Sequence, residues 1–392
     1  MKRKYRLAVL DFAPCNYRLP LFEKLAKNQK INLFVYFCSN NGVKGGSYDP
    51  ETGEEFFWEN IVKGFEYKFL NEINSGKILR IKGYFEIIKD ILLKRYEAII
   101  IYSYSSFTHK IAIIISWISR TPVIFRDEIH EVRGGLFKKN IKKIIYKFLF
   151  KIPKAFLYSY SKNRKFYEKF GVKNEKLFFH PCAVDNEFFK NEANKFKNSK
   201  DKIKKEIGIE KDSKVILFVG RISPRKRVFD ILKSYGKING VKNKTLLFIG
   251  PAGNEKERLE RYTLKKNIKN VIFLGFKKTS EISKFYSIAD LFVVASEYDP
   301  SPKVLNEAMN FSLPVIVSDK AGTARDLVKN EKNGFIFKCG DIKTFSKYME
   351  KMISEEKLRK EMGKESLEIV SKWNFDNDVK ATIKALDYIY KK

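Results

Sequence analysis

Histidine, tryptophan and cysteine are the scarce residues of this 392-residue chain, with three, three and four copies. Cys15, Cys38, Cys182 and Cys339 are widely scattered and show no C-x-x-C spacing, which argues against a disulfide framework or a cysteine zinc site and fits a reducing cytosol. No apolar run approaches the roughly 18 residues of a membrane-spanning helix. The longest candidate, Ile111 to Ile118, is under half that length. The opening MKRKYRLAVLDF is positively charged, but its apolar stretch ends too soon for a signal peptide. Acidic residues are outnumbered, 46 against 78 basic, for a net charge of +32. Such a field favours anionic partners. The joint abundance of Lys, Ile, Asn and Phe is equally what a proteome-wide bias produces. The charge is spread along the chain without a nucleic-acid-binding motif, so no nucleic-acid partner is expected.

What is plentiful is core material: 44% of residues are apolar and 15% aromatic. The length predicts two or more domains. In the first half, strands read at Tyr5 to Phe12, Ile31 to Cys38, Ala98 to Tyr102, Pro122 to Arg126, Ala155 to Tyr160 and Lys176 to Val184. Helices read between them at Leu21 to Lys27, Tyr84 to Arg95 and Thr108 to Ser119. This alternation predicts a parallel, doubly wound α/β sheet. Ligands meet such sheets beyond the carboxyl ends of the strands. The candidates there are Asn16 and Arg18 after the first strand, and Glu128 and His130 in the loop after PVIFR. Arg18 can hold an anion or close a salt bridge, and His130 can act in a site, cap a helix or face solvent.

Lys138 to Lys154, KKNIKKIIYKFLFKIPK, contains seven lysines and no acid. Ile141, Ile144, Ile145, Phe148 and Ile152 recur at helical spacing. The segment reads as a core-packed helix with a solvated lysine face, or as a helix on an anionic leaflet, where each Lys contributes on the order of 1 kcal/mol. The Lys- and Asn-rich stretch from Lys190 to Lys211 reads as a linker with a short helix at Lys202 to Ile207, and places a boundary near 195.

The second half restarts with a strand at Val215 to Val219, followed by Gly220-Arg221-Ile222-Ser223-Pro224-Arg225-Lys226. Gly220 lets the backbone approach a ligand closely. Arg221 and Lys226, five apart across a strand-to-helix loop, can converge on one diphosphate, one as a planar fork and the other as a point charge. Strands at Thr245 to Gly250, Val271 to Leu274 and Phe292 to Ala295 continue the alternation. Then comes DPSPKVLNEAMNFSLPVIVSD, Asp299 to Asp319, which joins a turn, a helix from Lys303 to Met309 and a strand. The helix N-terminus attracts anions. Glu307, one turn inside, can accept hydrogen bonds from two neighbouring sugar hydroxyls. The turn Ala321-Gly322-Thr323-Ala324 suits close approach of a phosphate, or is a plain helix entry.

On these residues the chain resembles the family-4 retaining glycosyltransferases of the GT-B fold. The matching features are Gly-Arg, four residues and Lys at 220–226, then an acidic residue, seven others and Glu in a Glu-Ala-Met helix, then a Pro-Val-Ile strand. Asp299 stands where the family usually has Glu. YRLPLF and PCAVDNEFF match the family as well, so the resemblance covers nearly the whole chain. It implies an α/β architecture of two doubly wound Rossmann-like domains facing across a cleft. Residues 1–195 would form the acceptor side and 196–372 the nucleotide-sugar side, with 373–392 returning to the first domain.

The activity implied is transfer of a sugar, with retention, from a UDP- or GDP-sugar to a glycan or lipid-linked oligosaccharide in bacterial surface-polysaccharide synthesis. Glu307 would hold the ribose, Asp299 the donor sugar, and Arg221 with Lys226 the leaving diphosphate. Gly220, Ser301, Lys303, Val304 and Gly322 would surround the donor, Asn16 and Arg18 would lie on the acceptor side, and Glu128 or His130 would stand at the catalytic edge. No Asp-x-Asp motif at a strand end calls for a metal, and no cofactor is expected beyond the nucleotide sugar. The implied location is cytoplasmic, with peripheral attachment to the inner face of the plasma membrane through 138–154. Two rival readings are a GT-B-type sugar-nucleotide epimerase and a non-catalytic basic protein that binds lipid or nucleic acid.

Overall fold

The computed structural model describes residues 4–40, 43, 47–49, 54–56, 62–70 and 77–391. Two parallel sheets organise them. The first has seven strands in the order Glu66–Phe69, Ile31–Phe37, Tyr5–Asp11, Ala98–Tyr102, Val123–Arg126, Ala155–Tyr158 and Leu177–Phe179. The second has six, in the order Val271–Phe273, Lys244–Ile249, Lys214–Val219, Leu291–Val294, Val315–Ser318 and Gly334–Phe337. A small two-stranded sheet pairs Ser47–Asp49 with Glu54–Phe56.

Both large sheets start at a central strand, grow to one side, then return and grow to the other. The order therefore reverses between Tyr5–Asp11 and Ala98–Tyr102 in the first sheet, and between Lys214–Val219 and Leu291–Val294 in the second. Doubly wound sheets open their ligand crevices at the carboxyl ends of the strands flanking such a reversal. The central strands are continuous apolar runs, AIIIY, LFVV and VIVS among them, buried at every position. Helices covering both faces of a parallel sheet impose that pattern.

The chain divides into two compact units at Cys182 and Ala183, and the closing helix Phe375–Ile389 belongs to the first. The expected linker from Lys190 is not one. Helix Asn186–Phe196 occupies it, begun by Asp185, whose side chain accepts from the Phe188 amide at 3.0 Å, and Lys200–Glu206 follows. Phe189 is the sole fully buried residue of those eleven and packs on Phe311. One buried position is too sparse a signal to stand out from a Lys/Asn background. The helix belongs to the second unit, where Asn186 Nδ2 also donates to the Val370 and Trp373 carbonyls at 3.1 and 3.0 Å, and the division therefore falls upstream of 195.

The lysine-rich segment forms helix Leu136–Leu149, packed on the core of the first unit by Tyr146 and, just past its end, Phe150. Tyr146 is its only buried residue, while Phe137 and Phe148 are 78% and 65% exposed.

Candidate functional site

At the carboxyl edge of the second sheet three neighbouring strands lead into glycine. Gly220, Gly250 and Gly275 have φ of 147°, 142° and 65°, values that L side chains rarely adopt. The Gly220 amide donates to the Ile249 carbonyl and the Gly250 amide to the Gly275 carbonyl, both at 2.9 Å. A β-carbon on Gly250 would lie 2.1 Å from the Gly220 carbonyl oxygen. The rim is therefore bare backbone, which a flat ligand can approach.

Three loops meet beside this rim. The first leaves Gly220, carries half-buried Arg221 and turns through Pro224–Lys226. The second follows strand Leu291–Val294 and carries Asp299, and the third holds Ala321 and Gly322. The Glu297 amide donates to the Arg225 carbonyl at 3.0 Å, the Arg225 guanidinium to the Tyr298 carbonyl at 3.0 Å, and the Gly322 amide to the Asp299 carbonyl at 2.8 Å. Lys226 Nζ donates to Asp299 Oδ2 in an ion pair whose side chains are only 15% and 12% exposed. The structure thus brings together a cation and a carboxylate that stand 73 residues apart.

Helix Lys303–Asn310 begins just beyond, with Pro302 at its cap position and no side chain capping it. A helix N-terminus carries a partial positive charge that attracts an anion. Ser301 is buried, Lys303 Nζ donates to Ser301 Oγ at 3.4 Å, and Val304 is half-buried. Glu307 is buried, 2% exposed, and its Oε2 accepts from the Tyr286 hydroxyl at 2.8 Å. Sequence reasoning passed over Tyr286. It lies on helix Thr279–Ile288, stacked on Phe311 with centroids 5.3 Å apart, and no spacing rule ties it to Glu307.

In the first sheet, Arg18 forms a two-pronged ion pair with buried Asp11, Nε to Oδ2 at 2.5 Å and a terminal nitrogen to Oδ1 at 3.0 Å. Its guanidinium lies 5.4 Å from the Tyr102 ring centroid. Arg18 thus closes a salt bridge, with its own side chain 32% exposed. Asn16 is half-buried in the turn ahead of helix Leu19–Lys27. Arg126 ends its strand buried, donating to Cys182 Sγ at 3.3 Å and to Glu128 Oε1 at 3.4 Å. The Tyr160 hydroxyl donates to the Glu128 carbonyl and meets His130 Nδ1 at 2.9 Å. That hydroxyl has one proton, so His130 carries its own on Nδ1 and donates it to Tyr160. Burial above all holds His130 below its usual value, which leaves it neutral near pH 7.

Asp127, between these residues, was also passed over, although it is the first residue after the strand. Burial pushes its carboxyl up to about 6, against hydrogen bonds from the Glu128 amide and Ser103 that favour the charged form. The folded state therefore holds the Asp127 proton more tightly than the unfolded chain, whose carboxyl ionises near its ordinary 3.8. Stability falls as pH rises between about 4 and about 6. Asp127→Asn keeps an oxygen for both donors and should be more stable than wild type at pH 7, on the order of 1–2 kcal/mol. Melting curves across this range should show the difference vanish below about pH 4.

Residues 199–368 match the family of Glycosyl transferases group 1. That segment is less than half of the chain. The chain is 26% identical over 318 residues, 79% of its own length and 80% of the relative's, to the GalNAc-alpha-(1->4)-GalNAc-alpha-(1->3)-diNAcBac-PP-undecaprenol alpha-1,4-N-acetyl-D-galactosaminyltransferase of Campylobacter jejuni. It is 29% identical to an uncharacterised glycosyltransferase of Methanocaldococcus jannaschii over 182 residues, 46% of each protein, so this match spans about half of that relative. The crystal structure of Anabaena HepE in complex with UDP superposes with a TM-score of 0.76 at 14% identity, covering 97% of this chain and 99% of that one. A glycosyltransferase structure from Rickettsia africae gives 0.78 at 14% identity over the full length of both. The fold shared with these structures is GT-B, with two doubly wound sheets.

Proposed function

We propose that the chain transfers a sugar from a UDP- or GDP-sugar to a glycan or lipid-linked acceptor in surface-polysaccharide synthesis, with retention of configuration. The observation that carries this reading is the meeting of the glycine rim, the Lys226–Asp299 pair and the helix bearing Glu307 at one reversal point. In this reading the nucleotide lies along the bare backbone of Gly220 and Gly250. Glu307, oriented by Tyr286, accepts from the ribose hydroxyls.

An arriving diphosphate competes with Asp299 for Lys226. Arg221, Lys226 and the amides at Ser301, Lys303 and Val304 then stabilise it as a leaving dianion, in place of a metal, while Gly322 allows close approach. Asp299, released from Lys226, accepts from hydroxyls of the donor sugar. Glu128 or neutral His130 serves the catalytic edge of the first unit, near Asn16 and Arg18 on the acceptor side.

The acceptor part of the reading is supported by the Campylobacter relative, whose name places its substrate on diphosphoundecaprenol. Peripheral attachment to an anionic lipid surface is supported by helix Leu136–Leu149, which turns Phe137, Ile144 and Phe148 outward among its lysines. Among the described residues no helix is long and apolar enough to cross a membrane.

Thermal-shift titration with UDP, GDP and ADP, without metal, tests the donor site. One nucleotide should raise the melting temperature of the wild type. Glu307→Gln keeps the shape and the Tyr286 contact but loses the charge, and should weaken that nucleotide about tenfold, equivalent to about 1.4 kcal/mol. No response to any of the three at millimolar concentration would sink the assignment.

A further inference from the structure

Helix Leu136–Leu149 is turned in an unexpected sense. Lys139, Lys143 and Tyr146 recur at i, i+4 and i+7 and so share one face, with Phe150 continuing it just past the helix. That is the face packed on the protein, because Tyr146 and Phe150 are buried against Phe166 and Phe170. Lys139 and Lys143 are exposed at one edge of that face, and half-buried Lys142 and Leu149 lie at its other edge. Phe137, Ile144 and Phe148 are exposed on the opposite side.

The facing helix, Ser161–Lys169, answers with Lys162, Lys165 and Lys169. The five lysines and His130 line a hollow of about 490 Å³ floored by Phe166 and Phe170. That is ample room for a small ligand. The single acid in the lining, Glu131, lies 3.6 Å from Arg133. Among the described residues, Lys139, Lys143, Lys165 and Lys169 have no carboxylate at ion-pair distance. Some lysines on other helices are matched one turn away, as Lys256 with Glu260, Lys360 with Glu356 and Lys372 with Glu368. Like charges four apart, such as Lys139 with Lys143 and Lys165 with Lys169, oppose helix formation by about 0.2–0.5 kcal/mol per pair. A multivalent anion removes that opposition and gains several charge-assisted hydrogen bonds at once.

We propose that this hollow is an anion site of the first unit that takes a phosphate or diphosphate group. It is built from the first unit alone and does not depend on the donor reading. The phosphate can belong to a freely diffusing compound or to a lipid headgroup.

The test uses the full chain saturated with UDP, in three forms: wild type, Lys143→Gln/Lys165→Gln, and Lys237→Gln/Lys265→Gln. The last pair removes the same charge from exposed positions in the second unit. Each form is titrated calorimetrically with inorganic diphosphate and sedimented with phosphatidylcholine vesicles, with and without phosphatidylglycerol. The UDP thermal shift is recorded on the same samples, so loss of the donor site would be seen separately. The proposal expects wild-type binding to weaken about tenfold or more in the hollow pair and to be unchanged in the control pair. Such a loss with soluble diphosphate assigns a free phosphate compound. The same loss confined to phosphatidylglycerol vesicles assigns a lipid headgroup. Absence of binding to both probes, or equal weakening by both lysine pairs, overturns the proposal. All four substituted lysines are exposed, so the variants are expected to fold, and circular dichroism confirms that each has.

Discussion

Lys226→Ala will lose both stability and nucleotide binding, and only the stability will return when Asp299 is neutralised as well. The Asp299 carboxylate sits in a residue that is 8% exposed and is held by Lys226 Nζ. Removing the cation strands that charge. Fully buried pairs lose about 3–5 kcal/mol when one partner is deleted, and the residual exposure of this pair puts the expected loss at about 2–3 kcal/mol. For a unit of this size the melting temperature should fall by roughly 5–10 °C. Lys226→Ala/Asp299→Asn removes the stranded charge and should recover most of the loss, a coupling that a double-mutant cycle measures directly. Its affinity for UDP should stay as low as that of the single variant, because the cation assigned to the diphosphate is still missing. Recovery of both properties would show Lys226 to be a structural partner of Asp299 only. Unaltered stability in the single variant would show that the pair contributes nothing to the fold.

That contact illustrates what the sequence can and cannot carry. Central strands such as AIIIY and VIVS are legible because burial on both faces demands unbroken β-branched runs. Edge strands lack that demand: Glu66–Phe69 reads EYKF and is half exposed, so it resembles a loop. The glycine at the end of strand Lys214–Val219 and the Glu307 helix are legible because each is a local pattern. The Lys226–Asp299 contact is not local. It follows from two loops leaving strands that are neighbours only because the sheet reverses between them. Tyr286 and Asp127 were missed for different reasons, the first because its partner is remote, the second because its environment sets its chemistry. The amphipathic pattern at 136–149 correctly signals a helix with two faces. Which face turns inward was decided by Tyr146, whose ring meets Phe150, Phe166 and Phe170, and periodicity cannot rank that cluster against four isoleucines and phenylalanines.

The closing helix offers the second large effect, because two of its aspartates two residues apart differ almost completely in burial. Asp376 meets Lys24 at 2.5 Å, but the side chains are 66% and 45% exposed. Water screens that pair, and Asp376→Ala should cost less than about 1 kcal/mol. Asp378 meets His180 Nδ1 at 2.9 Å with side chains 1% and 2% exposed. No water can replace the lost partner there, so Asp378→Ala should cost about 1–3 kcal/mol. Asp378→Asn keeps the shape of the side chain and a polar group facing the imidazole, and should cost less than the alanine variant. Differential scanning calorimetry of the three variants separates these cases. Because Asp378 anchors Phe375–Ile389 to the first unit while Gly220, Lys226 and Glu307 lie in the second, the molecules of Asp378→Ala that remain folded should bind UDP as tightly as wild type. A matching loss of UDP affinity would mean that the nucleotide site draws on the first unit as well.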